Sequence, residues 1–336
     1  MKALAGGAIH RGHCPTGTEP VAGRAIKGDM TASALPASVP VGGLRGRRQK
    51  ARWAFVVLGV VLGLVVLTAV SAGAVRYSAG EIVRLLLAPE PGSVLWAIRL
   101  PRVVCGVVIG AALAVAGAGM QALLRNPLAD PGLLGVSSGA ALGACGMIVF
   151  GGGAAAVGLA PAAFGGALTA TWVVSRLGRG SLTTMLLAGI AINAMCGAGV
   201  GLCAVMSSDA QLRSMSFWSL GSLGGATWRN TGLLTAVLAG AAVILSAQAR
   251  ALNALALGEA EAGHLGIAVG RLKTVVVLSV AVLVGTSVAA AGSIGFVGLV
   301  VPHWVRLWIG PDHRCLMPAA ALLGAALLVG ADTVAR

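Results

Sequence analysis

The residues whose types could perform chemistry are few in this chain and lie far apart. Its 336 residues include only 10 acidic side chains and 5 histidines, and no stretch has the nucleotide-binding form GxxxxGK[ST]. His10, His13 and Cys14 lie close together, but no fourth ligand for a metal ion is nearby. The six cysteines show no CxxC spacing, and most lie in apolar stretches, where a free thiol behaves as a small hydrophobic group. The sequence therefore predicts no enzyme activity, no cofactor and no metal site.

Acidic residues could also relay protons or ions across a membrane. Asp209, Asp312 and Asp332 each lie at the end of an apolar stretch rather than inside one. A secondary transporter driven by an ion gradient usually carries such charges within its spans. That class therefore stays an alternative, as does an inactive membrane remnant.

The elements that must position these residues are apolar and long. The chain is 57% hydrophobic and 10% charged, with a mean hydropathy of +0.92, whereas a soluble domain carries about 25% charged residues. Nine apolar segments could span a membrane, at about 53–72, 103–122, 133–151, 156–175, 183–206, 230–247, 274–291, 294–309 and 316–331. The pattern predicts an all-α integral membrane protein built as a bundle of helices that crosses the bilayer repeatedly.

The net charge of +14 is informative about topology. Nine of the 24 Lys and Arg residues lie in residues 1–52, a polar stretch predicted to be a disordered basic extension before a transmembrane domain at 53–336. The others are scattered singly, without the basic face that nucleic-acid binding needs. With the N-terminus in the cytoplasm, 17 basic residues fall inside and 7 outside, as the positive-inside rule favours. Residues 53–72 are too long for the core of a cleaved signal, the alternative for this segment.

Three segments between the spans are richer than plain loops. Residues 121–140 combine Pro127 and Pro131, which cannot continue a helix, with four side chains that can cap broken backbone: Asn126, Asp130, Ser137 and Ser138. Residues 216–228 end at Trp228 and suit a membrane interface. Residues 251–273 contain about two helical turns between two glycines, a shape that either docks into a partner or only connects two spans.

Several motifs follow one another along the chain: Arg99-Leu-Pro-Arg102, Asn126-Pro-Leu-Ala-Asp-Pro-Gly-Leu-Leu-Gly-Val-Ser-Ser-Gly139, Leu187-Ala-Gly189, Leu257-Gly-Glu259, Leu265-Gly266, Gly292-Ser-Ile-Gly-Phe-Val-Gly-Leu-Val-Val-Pro-His303, Asp312-His-Arg314 and Ala331-Asp-Thr-Val-Ala-Arg336. In this order they resemble the permease subunits of type II ABC importers, which import iron–siderophore complexes, haem and cobalamin. The resemblance covers residues 53–336. It implies a homodimer of ten-helix subunits in the bacterial inner membrane, two cytoplasmic ATPase subunits and a periplasmic substrate-binding protein.

The resemblance also implies roles for individual residues. The binding protein would dock at Arg99, Arg102 and Arg336. The ATPase would couple through a short helix carrying Gly258, Glu259, Ala262, Leu265 and Gly266. Leu182, Thr183 and Thr184 would lie near the cytoplasmic gate. Gln121, Asn126, Pro127, Asp130 and Pro131 would form the motif that borders the pathway.

The sequence differs from the family pattern in two places, and one stretch favours a particular substrate. Relatives continue into a tenth span, whereas this sequence stops at Arg336, so nine of ten spans and a truncated product are expected. Gly263 and His264 stand where relatives often carry a larger pair, which would soften the short helix by about 1 kcal/mol for the glycine. The Trp218–Trp228 stretch looks most like the haem-importing branch, so haem is favoured over a siderophore and then cobalamin.

Overall fold

The computed structural model describes residues 42–73, 77–88, 90, 92–178 and 181–336. Thirteen α-helices occupy these residues: α1 (Gly42–Ser71), α2 (Ala79–Leu87), α3 (Leu100–Leu123), α4 (Val136–Phe150), α5 (Ala155–Leu177), α6 (Leu182–Met206), α7 (Asp209–Leu220), α8 (Trp228–Ala247), α9 (Ala249–Leu255), α10 (Glu259–His264), α11 (Val269–Ala291), α12 (Val297–Ile309) and α13 (His313–Val334). Seven are long and apolar enough to cross a membrane, and α4 and α12 are shorter apolar helices. All nine predicted apolar segments are therefore helical.

The first helix begins earlier than the hydropathy predicted. α1 starts at Gly42 rather than at Trp53, so the end of the expected disordered extension is helical. A basic run can continue a helix because Arg and Lys have good helix propensity and need no apolar partner. The rest of the predicted extension, with His10, His13 and Cys14, lies outside the described residues.

Helix α3 forms the centre of the bundle. Its most apolar window is 78% buried, against 17% for α6 and 22% for α1. Glycines allow this burial because they let neighbouring backbones approach closely. A Cβ atom on Gly117 would collide with the carbonyl oxygen of Gly298 in α12, and one on Gly110 with that of Gly324 in α13.

Irregular backbone interrupts the bundle in the two places where the sequence carries its Pro and Gly motifs. Between α3 and α4, Arg125 has a φ of 50°, and Pro131–Leu134 forms one turn of 3₁₀ helix. Between α11 and α12, an extended stretch ends at Phe296, whose φ is 67°. Non-helical backbone at membrane depth is tolerated only where protein or water pairs its polar groups.

Two short helices, α2 and α7, begin with reciprocal caps. Ser78 accepts a hydrogen bond from the N–H of Glu81, whose carboxylate accepts one from the N–H of Ser78, and Ser208 and Gln211 repeat the arrangement. The bonds from Ser78 lower the pKa of the Glu81 carboxyl. Gln211 also donates to the last carbonyls of α4, at Ile148 and Val149, which ties α7 to the bundle.

Candidate docking and coupling sites

The three arginines predicted to dock a binding protein occupy two different environments. Arg102 in α3 and Arg336 share the carboxylate of Asp332 in α13, with shortest distances of 2.7 and 2.6 Å. Arg102 reaches both carboxylate oxygens, so the contact is bidentate. The three side chains are 10–24% exposed and carry a net charge of +1. Arg102 and Arg336 therefore lie side by side, and their docking of a binding protein stays a prediction.

Arg99 lies in the interior, which corrects its predicted role at the surface. It is 5% exposed, and its Nη1 donates to the carbonyl of Val70, at the end of α1, over 2.7 Å. The guanidinium lies 5.1 Å from the centre of the Tyr77 ring. Gly73 allows this approach, since a Cβ there would collide with the guanidinium. Arg99 therefore joins α1 to α3 and cannot contact a partner at the surface.

Other basic side chains at the same end are accessible. Arg229, in the first turn of α8, is exposed, and among the described residues it has no carboxylate partner. The neighbouring Trp228 donates from its ring to the carbonyl of Trp96 over 2.7 Å, just before Arg99. Arg229 is one of the seven basic residues expected on the outer side, and its role could not be predicted from the sequence. Trp228 anchors α8 to the bundle as well as suiting the interface.

The predicted coupling segment forms the short helix α10. Gly258 and Gly266 flank it with φ angles of 134° and 80°, a region that favours glycine. Leu257 and Leu265, at the two ends of α10, are 69% and 64% exposed. The segment therefore presents two apolar side chains on either side of one short helix.

Within the same segment, two predicted residues face the protein itself. Ala262 is fully buried, so its side chain is not available to a partner. Glu259 forms an ion pair with Lys273 in α11 over 2.7 Å. These contacts hold α10 against the start of α11. The accessible part of the segment includes the apolar Leu257 and Leu265 together with the polar Glu261 and His264.

A polar cluster fixes the other half of the segment. Asn253 in α9 donates to the carboxylate of Asp312 over 2.6 Å, and its amide oxygen accepts from the backbone N–H of His313 over 3.0 Å. Burial opposes ionisation of Asp312, but hydrogen bonds from the Arg314 N–H and from Asn253 outweigh it and lower the pKa of the carboxyl. The segment is thus joined to the first turn of α13. The motif at 312–314 marked one side of this cluster, but nothing in the sequence pointed to Asn253.

The pathway motif has a structural part inside the bundle. Gln121 is fully buried, donates to the carbonyl of Leu299 over 3.0 Å and accepts from Arg306 over 3.2 Å. It therefore ties α3 to α12 beside Pro302, which lies inside α12. Arg306 was not singled out from the sequence, because a basic residue at the end of an apolar segment is typical of topology signals.

The turn that follows Gln121 is built as the Pro and Asn pattern predicted. The side chain of Asn126 accepts from the N–H of Leu128, and that of Asp130 caps the 3₁₀ turn through the N–H of Gly132. Pro127 is exposed within the turn, whereas Pro131 is buried and packs beside Gly298. The capping prediction for Asn126 and Asp130 is confirmed.

The predicted gate residues lie at the start of α6. Ser181 caps this helix by accepting from the N–H of Thr184. Thr183 and Thr184 are exposed, while Leu182 is half-buried and lines a crevice of about 790 Å³ between α5, α6 and α11. The three residues share one helical turn but face different surroundings.

Comparison with known proteins gives a consistent set of relatives. Residues 60–336 match the FecCD transport family. The hemin transport system permease protein HmuU of Yersinia pestis is 50% identical over 251 residues, 71% of this chain and 74% of that protein. The vitamin B12 import system permease protein BtuC of Escherichia coli O139:H28 is 41% identical over 295 residues, 86% of this chain and 88% of that protein.

A second cobalamin relative and a solved structure agree with this. The cobalamin import system permease protein BtuC of Halobacterium salinarum is 44% identical over 254 residues, 74% of this chain and 68% of that protein. A structure described as an inward-facing metal-chelate type ABC transporter superposes with a TM-score of 0.78 at 30% identity. It covers 85% of this chain and 90% of its own.

Proposed function

The chain belongs to the FecCD transport family, and from that premise we propose that it is the permease of an ABC importer that carries haem from the periplasm into the cytoplasm. The family and the relatives make it a multi-pass permease for a metal chelate or cobalamin. Haem is the finer proposal. Its support is the 50% identity to a hemin permease, against 44% and 41% for the two cobalamin permeases.

Two faces of the bundle support this function. One end carries α10 with exposed Leu257 and Leu265, and an apolar pair on a short helix suits insertion into a groove on an ATPase subunit. The opposite end carries the Arg102–Asp332–Arg336 cluster and the exposed Arg229, which suit carboxylates of a binding protein. This assignment places the N-terminus in the cytoplasm. The geometry of α10 is the observation that carries the proposed coupling to an ATPase, whereas haem as the substrate rests on the sequence identity.

A second copy of the chain completes the proposed pathway. α6 is the least buried of the long helices, and its exposed face includes Ala191, Ala194 and Ala198. Small residues on a membrane helix allow another helix to pack closely. We place the homodimer contact on this face, with Thr183 and Thr184 at its cytoplasmic end.

The substrate is tested by reconstitution into liposomes. The chain is combined with the ATPase and binding protein of a haem importer and, in parallel, with those of a cobalamin importer. We expect ATP-dependent accumulation of haem with the first set, and at most background accumulation of cobalamin with the second. Cobalamin uptake with haem at background would overturn the haem proposal while leaving the importer intact. Co-purification with the ATPase without uptake of any chelate would overturn the importer proposal itself.

A further inference from the structure

The crevice between α5, α6 and α11 opens sideways, towards the space that lipid occupies. Its inner wall includes Thr171 and Met185, which are 2% and 8% exposed. Its rim includes Trp172 in α5 and Leu278 in α11, which are 57% and 58% exposed. An apolar cleft between membrane helices, with a buried wall and exposed apolar side chains at its edge, can hold a hydrocarbon chain.

The polar end of the crevice is basic. Arg176 and Lys273 line it, and none of the described residues that line it is acidic. The Arg176 guanidinium lies 5.0 Å from the centre of the Trp172 ring, a cation–π distance that keeps the charge beside the rim. Lys273 pairs outside the crevice with Glu259 of α10, so the basic end lies at the membrane face that carries the proposed coupling helix.

The crevice is separate from the proposed contact between two copies of the chain. Leu182 and Met185, which line it, lie on the inward side of α6. Ala191, Ala194 and Ala198 lie on the outward side of the same helix. A second copy packed on the small-residue face would therefore leave the crevice open to the bilayer.

We propose that this crevice binds an anionic phospholipid, with its phosphate between Arg176 and Lys273 and one acyl chain against the apolar wall. Basic pockets between membrane helices attract anionic headgroups, and aromatic rings prefer the same depth. The assignment to the cytoplasmic leaflet rests on the proposed orientation of the chain. Binding itself depends only on the crevice and its charges.

The site has a direct connection to the coupling segment. Lys273 holds Glu259, the first residue of α10, over 2.7 Å, and the side chains are 26% and 40% exposed. A lipid phosphate at Lys273 competes with this carboxylate, because both anions then pair with the same ammonium group. Occupancy of the crevice therefore changes how firmly α10 is held against α11.

The test uses quenching of Trp172 fluorescence by brominated phospholipids in reconstituted full-length protein. Vesicles of phosphatidylcholine receive a small fraction of brominated phosphatidylglycerol or of brominated phosphatidylcholine. The Trp172 signal is the difference between the protein and its Trp172→Phe variant. We expect the anionic lipid to quench this signal at a lower fraction than the zwitterionic lipid does. Arg176→Gln and Lys273→Gln should each reduce that preference about fivefold, since a basic residue near the surface contributes about 1 kcal/mol.

The controls separate a built site from general charge attraction and from a phosphate site. Arg250→Gln, an exposed basic residue in α9 outside the crevice, should leave the preference unchanged, and Arg176→Lys should keep most of it. Excess inorganic phosphate should not displace the lipid, whereas displacement would indicate a site for free phosphate. Equal quenching by both lipids, or an equal loss in Arg250→Gln, would overturn the proposal. Each result is independent of whether the chain transports haem.

Discussion

At the scale of single residues, the close packing of helix backbones at glycines determines more of this fold than polar side chains do. Gly117 lies at the contact between α3 and α12, where a methyl group would overlap the carbonyl oxygen of Gly298. For Gly59, in α1, none of the described residues outside its own helical turns has an atom within 4 Å of the same position. Two glycines in membrane helices thus have opposite roles, one required by packing and one free of it.

This contrast predicts opposite effects of the same substitution. Gly117→Ala should destabilise the protein by about 1–3 kcal/mol, because α3 and α12 must move apart to admit the methyl group. Gly59→Ala should be neutral or slightly stabilising, since alanine favours a helix by up to about 1 kcal/mol. Thermal unfolding in detergent, followed by loss of the monodisperse peak on size exclusion, measures both. An equal melting temperature for the two variants would show that the packing of α3 tolerates a methyl group.

Residue identity alone did not reveal where each arginine lies. Arg99 and Arg102 belong to one four-residue motif, yet Arg99 is buried against the end of α1 and Arg102 pairs with Asp332. Hydropathy treats both as charges at the edge of an apolar segment. The two environments differ because α1 packs against α3 at Arg99 and α13 packs against α3 at Arg102. The motif at Asn126 and Asp130 was easier to interpret, since its hydrogen bonds are local.

At the scale of elements, α10 is held in place by its neighbours rather than by its own stability. Six residues with a glycine at position 263 would not form a stable helix in isolation. The buried Ala262 and the ion pair from Glu259 to Lys273 fix it on α11. This leaves Leu257 and Leu265 free for a partner.

Replacing these leucines should separate the chain from its ATPase without unfolding it. Leu265→Asp, alone or with Leu257→Asp, places a carboxylate in the proposed apolar contact, and we expect at least tenfold less co-purified ATPase. Leu220→Asp is the matched control, because Leu220 is 77% exposed at the end of α7 and lies outside the coupling segment. Membrane insertion and the size-exclusion profile should stay normal in all three. Undiminished ATPase in the Leu265→Asp, Leu257→Asp double variant would mean that α10 only connects α9 to α11.

The helices also differ in how far each can be predicted from the sequence. Long apolar helices such as α3 and α11 can be predicted from hydropathy alone. An apolar segment of that length forms all its backbone hydrogen bonds within itself, so its structure does not depend on knowing its neighbours. α7 was missed as a helix, since its 12 residues are too short and too polar for a span. The contact between α9 and α13 through Asn253 was also missed, because the partners lie about 60 residues apart.

At the scale of the whole molecule, burial is unevenly distributed over the bundle. α3 and α11 are mostly enclosed by the chain itself, with 78% and 61% of their apolar windows buried, whereas α6 is 17% buried. Lipid can cover large apolar side chains such as Leu187 and Leu202 of α6. The small residues between them are better matched by another helix. This is the whole-molecule argument for a homodimer.

A bulky residue on that face should therefore prevent dimer formation. Ala194→Trp should shift the protein towards the monomer, because the indole ring holds the two copies of α6 apart. Val60→Trp, on the exposed surface of α1, should leave the dimer intact. Native mass spectrometry at matched concentrations gives the two populations directly. If both variants dimerise like the parent protein, the contact lies on another face.

The burial of Arg99 has a consequence for how the chain is made. The carbonyls of Val70 and Ser71 close the last turn of α1, and Arg99 donates to both over 2.7 and 3.4 Å. Those carbonyls are synthesised 28 and 29 residues before their partner, which is about 1–6 s at elongation rates of about 5–20 residues per second. We therefore expect the last turn of α1 to complete these hydrogen bonds only after the residues that precede α3 have been synthesised. The first two membrane helices are in this sense a single unit of biogenesis.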